Sequence, residues 1–423
     1  MPEIDSPSSR RSLLQGAAAA FTIVRPELVR GAGKEKLRAG VIGCGGRGTA
    51  AVHDLLSGNP NVELTAMADL FEDKLEGSLR RLRDESESGR FAGIQGQLQV
   101  EPDQRFTGFD AYKKVLASDI DVVLLTTPPG YRPLHLEAAV AAKKHIFAEK
   151  PFATDAVGAR KAIAAAGKAR ELGLTLMSGA QKRSHRATLE TMDRIRNGAI
   201  GEVVAAHVRY LSGPVMHASS RDPKWGDMEW QHRNWYSFLW LCGDQIVEQH
   251  FHNIDAINFL LRMHPESVVA SGGASWRPRE SLYGNIYDHM TSEFVYPNGV
   301  RMFSHCRQYP QGAFREVREL VIGSKGTLPL ASLRRPGEVN PQVQEHIDMV
   351  NSILGDGPYI NHGVEVAEST LTCIMARESA YSGMEITWDM IMNSQQDLQP
   401  KAFAYELPMD EPPLPVPGKY KFV

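Results

Sequence analysis

Short apolar runs alternate with amphipathic stretches from Leu37 to Met177. Leu37–Ile42, Val62–Ala68, Asp121–Leu125, His145–Ala148 and Leu174–Met177 read as buried strands. Between them, Thr49–Leu56, Phe71–Asp84, Pro133–Lys143 and Ala156–Glu171 read as helices, the second with Leu75, Leu79 and Leu82 on one face. Strand–helix repeats of this length predict a parallel, doubly wound sheet, whose ligands sit beyond the carboxyl ends of its strands.

The pattern changes after Arg183. Thr188–Arg196 reads as a helix and Glu202–Leu211 as a strand. Ser212–Asp244 reads as a long loop region and holds four of the six tryptophans, Trp225, Trp230, Trp235 and Trp240. Half of these are expected to pin the loop to the core or to a partner subunit. Aromatic faces beside Arg221, Arg233 and Asn234 suit a polar ring with an apolar C–H face, as in a sugar. Ile246–Arg262 is predicted as one helix. Val247, Phe251, Ile254, Ile257 and Leu261 form its apolar stripe, and Glu248, His252 and Asp255 share the opposite face. His250 falls within the stripe and reads as a packed structural histidine. Met290–Tyr296 and Val300–Gln308 flank Pro297-Asn298-Gly299 and predict a hairpin. Pro341–Leu354 and Val364–Tyr381 follow as helices. The proline-rich Pro408–Pro417 reads as extended and poorly packed.

A chain of 423 residues has room for two domains and a sizeable core. With 47 basic and 50 acidic residues there is no cationic excess to attract nucleic acid. Cys44, Cys242, Cys306 and Cys373 lie far apart without a CxxC spacing, which argues against a disulfide scaffold or a zinc ribbon. No metal site is expected. A two-residue hairpin turn would put His305 and Arg307 on one face with Asp288 and leave His289 and Cys306 on the other, so no four-ligand cage assembles.

Ser9-Arg10-Arg11-Ser12 precedes a mild, alanine-rich apolar run, Gln15–Val24. This resembles a twin-arginine export signal, in a run shorter than the ~20 residues that span a bilayer. Residues 1–36 are read as that leader, and the protein as periplasmic or exported. No other segment reaches transmembrane length.

The chemistry starts at Gly43-Cys44-Gly45-Gly46-Arg47-Gly48, a G-x-G-x-x-G with a strand before it and a helix after. The glycines allow the turn, the approach of a pyrophosphate and close helix–strand packing, and the helix N-terminus favours the phosphates. Asp69 closes the second strand, where an acid takes a ribose 2′-hydroxyl and repels a 2′-phosphate. NAD is therefore favoured over NADP. Glu149-Lys150-Pro151 ends the fourth predicted strand, and the proline keeps Lys150 out of helical geometry at the strand tip.

Together with Thr126-Thr127-Pro128-Pro129 and His135, these motifs resemble the glucose–fructose oxidoreductase/inositol 2-dehydrogenase (Gfo/Idh/MocA) family. The resemblance runs from about Leu37 to the end of the chain. It implies a Rossmann domain over residues 37–183 and an α+β domain over 184–423, with an open, mainly antiparallel sheet that joins subunits into a homo-oligomer. It implies a cis Lys150–Pro151 bond. The cofactor-holding set becomes Gly43, Gly45, Gly46, Arg47, Gly48, Asp69, Thr126, Thr127, Pro128, His135, Glu149, Lys150, Gln181 and Arg183. Gln181 and Arg183 come from Ser178–Arg183, similar to the family segment over the nicotinamide ribose. His252 and Asp255 match the family's His-x-x-Asp, with Glu248 where an aspartate is usual and His250 where a glycine is usual. Lys150, His252 and Asp255 are then the catalytic candidates, and Arg233, Asn234, Trp235, Glu248 and His252 the substrate-binding ones. The implied activity is hydride transfer from a secondary hydroxyl of a sugar or glycoside to tightly held NAD. The alternatives are glycoside cleavage through a transient keto-sugar, and non-catalytic NAD or sugar binding.

Overall fold

A computed structural model describes residues 36–84, 92–217, 220–278, 280–330 and 334–423. The expected leader lies outside the described residues, apart from Lys36.

The first domain runs β1 (Leu37–Ile42), α1 (Gly46–Gly58), β2 (Val62–Asp69), α2 (Glu72–Asp84), β3 (Arg105–Thr107), α3 (Ala111–Ala117), β4 (Val122–Leu125), α4 (Arg132–Ala141), β5 (His145–Ala148), α5 (Ala156–Glu171) and β6 (Leu176–Ser178). The six strands are parallel in the order β3-β2-β1-β4-β5-β6. β4 and β5 are buried at every position, which is why they read as unbroken apolar runs. Strand order reverses between β1 and β4, and a crevice opens there. The sequence pattern did not reveal β3 and α3.

The second domain runs α6 (Arg186–Arg196), β7 (Val203–Ser212), α7 (Asp227–Arg233), α8 (Leu239–Cys242), α9 (Gln245–Glu248), α10 (Phe251–Leu261), β8 (Ser267–Gly273), β9 (His289–Val295), β10 (Arg301–Gln308), β11 (Glu316–Gly323), β12 (Gly326–Pro329), α11 (Pro341–Leu354), α12 (Gly363–Ser382), β13 (Ile386–Thr387) and α13 (Trp388–Asn393). Its sheet has the order β12-β11-β7-β10-β9-β8-β13, antiparallel except for β7 and β10. One face packs on α10 and α12. α11 returns to the first domain, where Met349, Val350 and Ile353 share a core with Val52 and Leu55.

Several expectations are corrected. The 212–244 region is not one long loop, because α7, a 3₁₀ turn at Trp235–Ser237 and α8 lie inside it. The predicted helix over 246–262 is two helices broken at Gln249-His250. There the His250 N–H reaches back to the Gln245 carbonyl, 3.1 Å away, and the ring bonds to Ser304 Oγ at 2.7 Å. The hairpin pairs Val295 with Arg301, so its connection is longer than two residues. His289 therefore faces Arg307, on the opposite side from the buried Cys306. The Pro408–Pro417 tail is irregular with no buried residue, in line with its expected character. The Pro415 carbonyl accepts from Tyr287 at 2.7 Å, and on either side Tyr405 donates to the Leu70 carbonyl at 2.6 Å and Tyr420 to Glu378 at 2.8 Å.

Candidate active site

A cavity of about 600 Å³ lies over the carboxyl ends of β1, β4 and β5. Its floor is the glycine turn. Gly43 has φ +102°, a conformation other residues rarely adopt. A Cβ on Gly48 would lie 1.9 Å from the Gly43 carbonyl oxygen, so this glycine packs helix against strand and does not line the cavity. A Cβ on Gly45 or Gly46 would meet nothing within 4 Å, which leaves the outer face of the turn open for a ligand. The first N–H groups of α1 point into that opening without a side-chain cap.

Asp69 accepts from Cys44 N at 2.6 Å and from Phe71 N at 2.9 Å, which fixes its carboxyl beside the turn. Burial raises its pKa, and these two bonds work against the rise. Thr126 Oγ1 donates to the Gly43 carbonyl at 2.6 Å, and Thr127 Oγ1 lies 3.1 Å from His135 Nδ1. Burial, with the charge of Arg132, pushes His135 down to about 3, so its ring is neutral. Open glycines, a helix N-terminus and an acid at the end of β2 fit the pyrophosphate and ribose of NAD.

At the other end, Lys150 follows β5 through a cis bond to Pro151, as expected. Its Nζ donates to Glu248 Oε1 at 2.9 Å and to the Glu248 carbonyl at 2.6 Å. An ammonium has three hydrogens, so one remains for a substrate oxygen. His252, in the first turn of α10, lines the same cavity. Burial first, then the charges of Lys150, Lys182 and Arg47, hold it well below the ordinary histidine range, so the ring is neutral and presents a nitrogen lone pair to the cavity, while the same surroundings oppose its protonation. Its neighbour Asn253 is tied to Glu319, which also binds Lys182. Glu149 sits 2.9 Å from Arg47 Nε and so close to Gly179 that a Cβ there would lie 2.4 Å from Glu149 Oε2. Pro128 and Gln181 complete this part of the lining.

Trp235 and His217 stack at 5.0 Å beside Tyr236. Gln308 Nε2 donates to the Tyr236 hydroxyl at 2.7 Å and to Gln249 Oε1 at 3.0 Å. Tyr210, His217, Tyr236 and Gln249 were not singled out in the sequence. Only Tyr210 had a signal: it shares the period of two in β7 with the buried Ala206 and Val208.

Several expected site residues are placed otherwise. Asp255 is set back from the cavity: its carboxylate accepts from Arg183 Nε at 3.0 Å and from Nη2 at 2.7 Å, and neither side chain lines the cavity. Arg183 is thereby held away from the cavity as well. Asn234 is fully buried and donates to the Leu282 carbonyl at 2.8 Å. Arg233 does line the cavity, but its guanidinium lies 3.9 Å over the Phe71 ring and pairs with Asp73 and Glu229. That is the Asp69 end, where adenosine belongs, rather than the substrate end. Trp230 and Trp240 are buried pins, with their indole N–H groups on Ser281 and Gln231. Arg221 pairs with Asp227 outside the cavity.

Among the described residues, no group of three or more His, Cys, Asp or Glu side chains is arranged to hold a metal ion. No described helix is long and apolar enough to cross a membrane.

Residues 37–179 match the family model for the Gfo/Idh/MocA oxidoreductases with an NAD-binding Rossmann fold, and residues 188–329 match that family's C-terminal domain. Among curated proteins, the chain is 26% identical over 212 residues to the uncharacterized oxidoreductase YrbE of Bacillus subtilis, covering 49% of this chain and 54% of that one. The chain thus spans about half the length of that relative. It is 29% identical to an inositol 2-dehydrogenase of Cereibacter sphaeroides, over 70% of this chain and 73% of that one. Among solved structures, myo-inositol dehydrogenase from Lactobacillus casei, in complex with NAD(H) and myo-inositol, superposes with a TM-score of 0.62. That likeness covers 83% of this chain and 96% of the other at 18% identity, and it speaks for the fold. The chain belongs to the Gfo/Idh/MocA oxidoreductases, and its cofactor is NAD.

Proposed function

We propose that the protein oxidises a secondary hydroxyl of a sugar or glycoside. The observation that carries this reading is the convergence of Lys150, Glu248 and His252 in the cavity that also holds the dinucleotide cradle. NAD, when bound, supplies the hydride acceptor. The remaining hydrogen of Lys150 holds the reacting oxygen, and the neutral imidazole of His252 takes the hydroxyl proton. Glu248 anchors the ammonium and offers acceptor capacity to neighbouring hydroxyls. The Trp235–His217 stack and Tyr236 give a sugar ring an apolar wall.

A panel of aldoses, polyols and glycosides, followed by NADH absorbance and product analysis, tests the reading. A keto product with stoichiometric NADH supports oxidation. Released aglycone with no net NADH would replace it with cleavage through a transient keto-sugar.

The same proposal includes export, for which Arg10-Arg11 and the run behind them are the support. Replacing both arginines by lysine should leave the protein in the cytoplasm, and normal export of that variant would overturn the reading. Outside the cytoplasm there is no free NAD pool, so the cofactor stays bound between turnovers. Phe403 and Tyr405, packed on Phe109 at the adenosine end, support retention. The outer face of the second sheet carries the exposed Val269 and Phe303 in one cross-strand row with Glu293 and His207. It is the surface proposed to join subunits.

A further inference from the structure

The first turn of α11 comes from the second half of the chain, yet Gln342 and Glu345 line the dinucleotide cavity. Glu345 is 2% exposed, and its Oε2 has no hydrogen-bond partner among the described residues. Leaving a buried carboxylate oxygen unpaired is costly, so the group calls for a partner that the protein itself does not supply.

The local charges say what kind of partner. Arg47 and Asp54 act on Glu345 from α1, Glu149 from the end of β5, and Asp348 from its own helix. Arg47 is already divided, with Nη2 donating to Asp54 at 2.8 Å and Nε 2.9 Å from Glu149 Oε1. The other charged or titratable groups on elements packed against α11 are engaged or neutral. Lys182 pairs with Glu319 and Arg183 with Asp255. Burial pushes His346 down to about 3. His53 lies against Asp54, and His145 Nδ1 accepts from Thr175 N at 3.0 Å. One shared guanidinium thus serves Asp54, Glu149 and Glu345, while a dinucleotide brings further negative charge to the glycine turn. An ionised Glu345 would repel that ligand. A carboxylic acid would instead present an O–H donor to a ligand rich in acceptor oxygens. Burial, then the charge of Glu149, raises the Glu345 pKa well above the ordinary carboxylate range and favours the protonated form.

We propose that Glu345 is a cofactor-holding residue, which as a carboxylic acid donates a hydrogen bond to NAD, at the pyrophosphate or the adjoining ribose between the glycine turn and Glu149. The proposal rests on the NAD assignment and not on the sugar reading, so its failure leaves the reaction class untouched.

The test is calorimetric NAD binding to the full chain stripped of cofactor. Glu345→Gln keeps a donor of similar shape, and its affinity should stay within about threefold of wild type. Glu345→Met keeps the bulk without the donor, and should bind about tenfold or more weakly. Wild-type affinity should fall towards alkaline pH more steeply than that of Glu345→Gln. Wild-type affinity in the Met variant, or an equal loss in both variants, overturns the proposal. Infrared difference spectra give an independent check. NAD should shift the carbonyl band of a neutral carboxylic acid in wild type, and that band should be missing from Glu345→Gln. A wild-type spectrum in which NAD moves no such band also overturns it.

Discussion

Lys150 Nζ lies 2.9 Å from Glu248 Oε1 and donates at 2.6 Å to the same residue's backbone carbonyl, so a strand tip of the Rossmann domain is fastened to α9 of the second domain. Both side chains are mostly shielded, at 10% and 13% exposed. Glu248→Ala keeps the carbonyl contact and removes the charged one. The variant should lose roughly ten- to a hundredfold in kcat/KM while its NAD affinity changes little. Steady-state kinetics beside NAD titration check this, and unchanged kcat/KM would remove Glu248 from the site.

Asp255 behaves differently because its partner is Arg183, with the two side chains 2% and 3% exposed. Removing one member of a buried pair strands the other charge. Asp255→Ala should therefore cost about 3–5 kcal/mol of stability by denaturant unfolding. The double variant Asp255→Leu/Arg183→Met should recover most of that loss. A normally stable Asp255→Ala with collapsed turnover would restore the catalytic role.

Asp69 is held by two backbone N–H groups at the end of β2. Asp69→Ala should weaken NAD binding and narrow the gap between NAD and NADP. Parallel titrations with the two dinucleotides measure it, and an unaltered preference would contradict the assignment.

The first domain was legible because its cause is local. Strands buried on both faces appear as unbroken apolar runs, and the glycine spacing, Asp69 and Lys150 lie at strand ends that the pattern itself locates. β3 and α3 are too short to establish a period. The break in the 246–262 helix depends on Ser304 and Gln308, which reach His250 and Gln249 from a distant strand. The helical wheel set Asp255 opposite the apolar stripe, as His252 is. It could not see that the turn at Gln181–Arg183 places Arg183 against Asp255, so that His252 lines the cavity and Asp255 does not. Tyr236, Gln249 and Glu345 belong to no local motif, and chain reversals far from the glycine turn bring them to the cavity.

Burial also sets the response to acid. It pushes His135, His250 and His346 down to about 3 and His232 to about 4, against 6.5 for the free side chain. Below 6.5 the unfolded chain takes up protons that the folded chain refuses, so stability is fully present above that value and falls as pH drops through the window. Asp244, pushed up to about 6 from 3.8, works in the opposite direction between those values. Glu345 and Asp69, also raised by burial, act in the same direction as Asp244, while burial pushes His362 down to about 3 as well, and the five histidines outweigh these carboxyls. The melting temperature should therefore fall between about pH 7 and about pH 5, and a flat or rising trend would contradict this account.

The most direct test of the central claim is single-turnover reduction of bound NAD by an accepted sugar, followed by NADH absorbance in wild type, Lys150→Met and His252→Ala. Each variant should retain NAD yet reduce it roughly a hundredfold or more slowly, in line with the contribution of positioned proton transfer. Wild-type reduction rates in both variants would contradict the claim that Lys150 and His252 carry the proton chemistry of this cavity.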